Sequence, residues 1–162
     1  AIKCMEIRQD FRARFDTVSK TYKYFINDSS YNIFMRNYQW QISRPLDVAA
    51  MKNAASYIIG EHYFDAFMAA GSQVKDTLRC VNSLTVERNP DGIIEITINA
   101  NGYLYNMVRI ISGTLMGVAL KRFLPEDIKT IIESRDRTNA GVTAPARGLF
   151  LWDVIYREED SD

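Results

Sequence analysis

The sequence predicts an α+β domain, an antiparallel sheet with helices packed on one face. Three observations carry that expectation. Two β-rich runs, Leu78 to Arg88 and Ile93 to Ala100, are joined by Asn89-Pro90-Asp91-Gly92, which suits a type I turn position by position. Leu104 to Lys121 is the most apolar helical stretch of the chain, and Asp47 opens a second, shorter helix. Leu149 to Tyr156 reads as a last strand.

Ile2 to Gln9 resembles a strand already under way, and a chain that opens inside a strand suggests a fragment. Ser19 to Ile26 alternates, and its period of two puts Lys20, Tyr22, Tyr24 and Ile26 on one face. Tyr31 to Ile42 is aromatic and reads as loop with a short strand. In the helix after Asp47, Leu46 and Met51 stand at hydrophobic-staple spacing. Met51, Ala54, Ala55 and Ile58 form its buried stripe, and Gly60 is placed to end it. In the hairpin's second strand Ile94, Ile96, Ile98 and Ala100 face one way; Glu95, Thr97 and Asn99 face the other. After Pro125 a shorter helix turns Ile128, Ile131 and Ile132 inward. With neither linker nor repeat in view, residues 1–162 are read as one domain, long enough to bury about two-thirds of its unfolded surface.

Composition narrows the function classes. The formal charge is zero, from 20 basic and 20 acidic residues, so no global field attracts nucleic acid. The signs are unevenly placed, however. Residues 1–23 carry six bases (Lys3, Arg8, Arg12, Arg14, Lys20, Lys23) against three acids, which fits either a local RNA footprint or a solvated mixed surface. Two cysteines without CxxC spacing and a single histidine, His62, give too few ligands for a structural zinc site. Isolated cysteines fit reduced thiols in the cytoplasm. No apolar run is long enough to span a membrane, and there is no P-loop or GxGxxG for a nucleotide cofactor. His62, placed after the first helix, is given no role.

The long helix holds the sharpest clue. Arg109 is its one charged side chain between Leu104 and Leu120, amid Met107, Val108, Ile110, Ile111 and Leu115. At i±3 and i±4 stand Tyr105, Asn106, Ser112 and Gly113, none of which can balance a charge. Arg109 therefore either snorkels to solvent or awaits a carboxylate from elsewhere. In the second case, exchange for Met should be neutral or stabilising. Gly113 and Gly117 read as close helix-on-sheet packing. Lys20, Tyr22 and Tyr24 fit an aromatic cross-strand pair or a base-stacking surface.

Four blocks in order resemble TruA-type tRNA pseudouridine synthases, across nearly the whole chain. Phe11-Arg12-Ala13-Arg14-Phe15 with Lys20, Tyr22 and Tyr24 resembles "F-x-A-R-F … K-x-Y-x-Y". Gly60-Glu61-His62-Tyr63-Phe64-Asp65-Ala66-Phe67 resembles "G-x-H-D-F-x-x-F", and Gly102-Tyr103-Leu104-Tyr105-Asn106-Met107-Val108-Arg109 with Gly113-Thr114-Leu115 resembles "F-L-Y-N-M-V-R … G-T-L". Arg135-Asp136-Arg137, Ala140-Gly141, Thr143-Ala144-Pro145-Ala146 and Gly148-Leu149-Phe150-Leu151 resemble "R-D-R-x-x-A-G-x-T-A-P-x-x-G-L-x-L".

The resemblance implies a pseudouridine-synthase-like fold and the C-terminal half of an enzyme that isomerises uridine in the anticodon stem-loop of tRNA, without cofactor or metal. It implies a homodimer. It also implies that Arg109 pairs with the nucleophilic aspartate, that Tyr22 packs on the target base, and that Leu149 lines the same pocket. Arg12, Arg14 and Lys20 are then candidate RNA contacts. The aspartate's own "R-T-D-x-G-V-H-A" motif is absent, so these 162 residues are expected to be inactive alone. Arg137-Thr138-Asn139-Ala140-Gly141-Val142 mimics that motif with Asn for Asp, but its flanks fit the C-terminal block, and it is read as structural. Other classes consistent with the residues are a non-catalytic RNA-binding module and a purely structural or dimerisation domain.

Overall fold

The structure is a computed structural model that describes residues 7–157. Its strands are β1 (Thr17–Asn27), β2 (Trp40–Gln41), β3 (Gly60–Tyr63), β4 (Leu78–Arg88), β5 (Ile94–Ala100) and β6 (Leu149–Tyr156). Its helices are α1 (Val48–Ser56), α2 (Met107–Ala119) and α3 (Asp127–Ser134). The α+β class follows from this order. The early strand expected from Ile2 lies mostly outside the described residues, and Ile7 to Gln9 run as loop and turn.

The sheet runs β2-β1-β5-β4-β3, with β6 beside β1 on the same flank as β2. All the long pairings are antiparallel. The exception corrects the purely antiparallel expectation: β2 lies parallel to the end of β1, with Ile26 opposite Trp40. After Asn27 the chain loops through residues 28–39, a connection long enough for a parallel return, and pairs with β1 over two residues. Asn27 pins it, donating from Nδ2 to Gln41 Oε1 at 2.9 Å and accepting from the Ile42 amide at 2.7 Å.

Helix α1 forms where Asp47 accepts from the Ala50 amide at 2.9 Å, with Leu46 and Met51 both buried beside the cap. It ends at Ser56, earlier than expected. Gly60, at φ +110°, opens β3 instead of closing the helix, so His62 lies in a strand opposite Arg79. The Asn89–Gly92 turn forms as read, with the Gly92 amide bonded to Asn89 O at 2.9 Å. In β5, Ile94, Ile96, Ile98 and Ala100 are all buried against the helices. Inward residues of β4 are Val81, Leu84 and Val86; the odd step between the first two comes from a bulge at Asn82.

Helix α2 is buried on every side, apart from partly exposed Arg109, and starts three residues later than expected because Asn106 sits in the left-handed region at φ 59°. It closes on Lys121, also left-handed at φ 59°: the Arg122 amide reaches Gly117 O at 2.9 Å and the Lys121 amide reaches Val118 O at 2.9 Å. The glycines serve loops, not the sheet. A Cβ on Gly113 would stand 1.8 Å from Val142 O, and one on Gly117 would meet the Phe123 ring at 2.7 Å.

One ion pair ties the β2 loop to the hairpin. Asp28, 2% exposed at its side chain, takes a bidentate grip from Arg88 at 2.8 and 2.9 Å and accepts the Leu46 amide at 2.9 Å. The Arg88 hydrogen bonds, chiefly, hold its pKa below the ordinary carboxylate value. A carboxylate with a depressed folded pKa gives stability that is present above its unfolded pKa and lost as pH falls through the folded one. The urea midpoint should therefore drop between about pH 5 and pH 2, and Asp28→Asn should flatten part of that drop. The variant should cost about 2 kcal/mol at neutral pH, less than a fully buried pair, because Arg88 is 41% exposed. An Asn variant with an unchanged acid profile would assign the drop to other groups.

Candidate active site and nucleic-acid interface

β1 carries one side-chain row out of the core and into a cleft. Tyr24 and Ile26 are fully buried, whereas Tyr22 and Lys20, next along the same face, are only partly covered. There the row borders a concavity of about 800 Å³, whose walls include Arg14, Lys20, Tyr22, Tyr103, Asn106 and Leu151. The Tyr22 ring stands edge-on to Tyr103, centroids 5.0 Å apart at 88°. Both readings of this strand face thus meet in one place: an aromatic pair exists, and it lines an open cleft.

Tyr103 is held rigidly. Its hydroxyl proton is shared between Lys20 O and Ile98 O, both at 2.9 Å, on two adjacent strands. Burial first, and the neighbouring Tyr22 second, push its pKa well above the ordinary phenol value, so it stays a donor. The Lys20 ammonium donates to Arg14 O at 2.9 Å. Its pKa is lowered by burial and then by the Arg14 charge.

Arg109 does not snorkel. Its Nε donates to Ala144 O at 2.6 Å and its Nη1 to Asn106 Oδ1 at 2.9 Å. The Ala144 amide returns a bond to Arg109 O at 3.1 Å, so helix and loop are clamped both ways. Ala144 is brought there by the preceding residues: the Gly141 amide donates to Thr114 Oγ1 at 2.9 Å, across the Gly113–Val142 contact. Both acceptors of the guanidinium are neutral, and among the described residues no carboxylate pairs with it. Nearby, Tyr24 donates to Pro145 O at 2.7 Å. Burial raises its pKa strongly, against the opposing charges of Arg109 and Arg147.

The cleft gathers Arg14, Lys20 and Tyr22, and meets Arg109 through Asn106. It does not include Leu149, which packs on the core opposite Tyr24; Leu151, two residues on and opposite Tyr22, lines the wall. Arg12 is exposed in the turn before β1, outside the lining. Asn139 is exposed at another hollow, beside Phe123 and Asp127, while Asp136 caps its segment through the Thr138 amide at 2.8 Å. Tyr103, Leu151 and Ala144 join the site only in the fold. All three lie inside the family-like blocks, but nothing local marks a backbone carbonyl 35 residues away as the ligand of an arginine.

Comparisons with known proteins agree with these blocks. A family profile described as tRNA pseudouridine synthase matches residues 54–157. The chain is 47% identical over 156 residues to a tRNA pseudouridine synthase A of Thermoanaerobacter sp. (strain X514), covering 96% of this chain. It is 42% identical over 158 residues to that of Bacillus velezensis and 41% over 158 residues to that of Bacillus subtilis (strain 168), again covering 96% of this chain. In each case the chain spans 64% of the relative's length.

Proposed function

The chain belongs to the tRNA pseudouridine synthase family, and we propose that it forms one wall of an active site that isomerises uridine to pseudouridine in the anticodon stem-loop of tRNA. Tyr22 offers the face on which the target base packs, with Tyr103 bracing it from behind. Arg109 supplies the counter-charge to a nucleophilic aspartate that these 162 residues do not contain. Arg14 and Lys20 hold phosphates at the cleft mouth, Arg12 extends that basic edge outward, and Leu149 backs the cleft from the core, opposite Tyr24. The same reading makes the protein a cytoplasmic homodimer.

One observation carries it: a clamped guanidinium whose acceptors are both neutral, joined through Asn106 to a tyrosine-lined cleft. Keeping an arginine half-buried without a carboxylate is costly, and pairing on assembly removes the cost. Among the described residues no helix is long and apolar enough to cross a membrane.

The chain alone, and its Asn139→Asp variant, should release no tritium from tRNA labelled at uridine, yet should bind that tRNA with an affinity that falls steeply with salt. Product from Asn139→Asp would make residues 137–142 the catalytic loop and sink the assignment. Binding without activity even when the segment of the full-length relatives that this chain does not span is supplied would leave a non-catalytic RNA module. No tRNA binding at all would leave a structural domain.

A further inference from the structure

A second basin of about 360 Å³ adjoins the tyrosine cleft, sharing Arg14, Lys20, Val74 and Tyr103 with it. Its far wall adds Arg79, Asn101 and Gly102. Arg79 is the member no motif pointed to; β4 delivers it, and its side chain packs beside Gly102, where even a Cβ would make only an ordinary contact with its Nε at 3.4 Å.

Three cations thus face one hollow in a chain of zero net charge. Among the described residues none of the three has a carboxylate partner. Lys20 spends one donor on Arg14 O, and Arg79 bonds only backbone oxygens, Asp76 O at 3.2 Å and Leu78 O at 2.5 Å, both through Nη1. The Arg14 guanidinium lies over the Phe15 ring, 5.7 Å from its centroid, without a hydrogen bond. Most of their N–H groups therefore have no protein acceptor. Like charges this close repel, and an anion between them would relieve the repulsion and accept those donors together.

We infer that Arg14, Lys20 and Arg79 form a seat for one RNA backbone phosphate, that of a nucleotide adjoining the base received at Tyr22. This rests on the reading of the tyrosine cleft as a base site. An aromatic hollow and a cationic hollow that share a wall match the two parts of a polynucleotide, a flat base and its phosphodiester, better than they match a free anion.

The test uses the chain itself, with an RNA stem-loop containing unpaired uridines and, separately, inorganic phosphate. Arg79→Gln should lower the slope of log affinity against log salt by about one, as loss of one phosphate contact requires. Arg79→Lys, which keeps a point charge, should retain most of the slope. Lys129→Gln, on exposed α3, should leave it unchanged. Urea melts check that each variant is folded. Inorganic phosphate should shift the NMR signals of the Gly102 amide and Arg79 Nε in the wild type.

If Arg79→Gln leaves the slope intact while RNA still binds, the seat is overturned and the base site stands. If the wild type binds no RNA but responds to phosphate, the base-site reading fails and the basin is a free-anion site. Silence in both arms overturns seat and reading together.

Discussion

Gly113→Ala should lower the stability of the chain by more than about 3 kcal/mol, the upper end of what overpacking does. The new Cβ would lie 1.8 Å from the Val142 carbonyl oxygen and 2.9 Å from its carbon. Both are backbone atoms, so no side-chain rotation relieves the collision. The loop cannot retreat cheaply either, because the Gly141 amide is bonded to Thr114 Oγ1, and a Cβ on Gly141 would itself stand 2.7 Å from Thr114 Cα. Gly117→Ala is the internal comparison. Its neighbour is the Phe123 ring, which can turn, so it should cost about 1–2 kcal/mol. Urea melts of the two variants would measure the difference. Equal, small losses would mean that residues 140–143 do not sit on α2.

Arg109→Ala, in a protein that also contains the aspartate-bearing segment, should lower kcat by roughly two to three and a half orders of magnitude. That is the equivalent of the 3–5 kcal/mol that breaking a buried ion pair costs, about 1.4 kcal/mol per tenfold. Arg109→Lys should fare little better. The guanidinium gives Nε to Ala144 and one Nη1 donor to Asn106, which leaves Nη1 and Nη2 each with a donor for a carboxylate in the bidentate arrangement. A single ammonium cannot hold both protein acceptors and present two parallel donors. Single-turnover kinetics on labelled tRNA would check this, and a Lys variant with near-normal kcat would reduce Arg109 to a point charge. On the chain alone, the two hydrogen bonds revise the expected effect of Arg109→Met. Loss of the donors for Ala144 O and Asn106 Oδ1 should cost about 1 kcal/mol, not stabilise.

The two predictions are linked. Gly113 lets the 140–144 loop approach α2, and that approach puts the Ala144 carbonyl where it orients Arg109. A milder change such as Thr114→Val, which removes the acceptor of the Gly141 amide, acts on the same linkage from the helix side.

Features set by neighbours in sequence were legible without the fold. Asp47 and its staple start α1 because a cap needs only the next three residues. Asn89-Pro90-Asp91-Gly92 turns the hairpin, and strict alternation buries Ile94 to Ala100, because φ/ψ preference and period are local. The lone charge of α2 and the Tyr22 row could be picked out for the same reason. Tertiary structure alone decided what those residues meet. It turned Trp40–Gln41 parallel to β1 and shifted β4's phase at Asn82. It put Leu151 rather than Leu149 at the cleft and brought Arg79 round to Arg14 and Lys20. It also gave Arg109 a carbonyl 35 residues distant in place of a charge. Each of these depends on which segments the closing of one common core presses together, and contacts between distant segments leave no period or spacing in the sequence to be read.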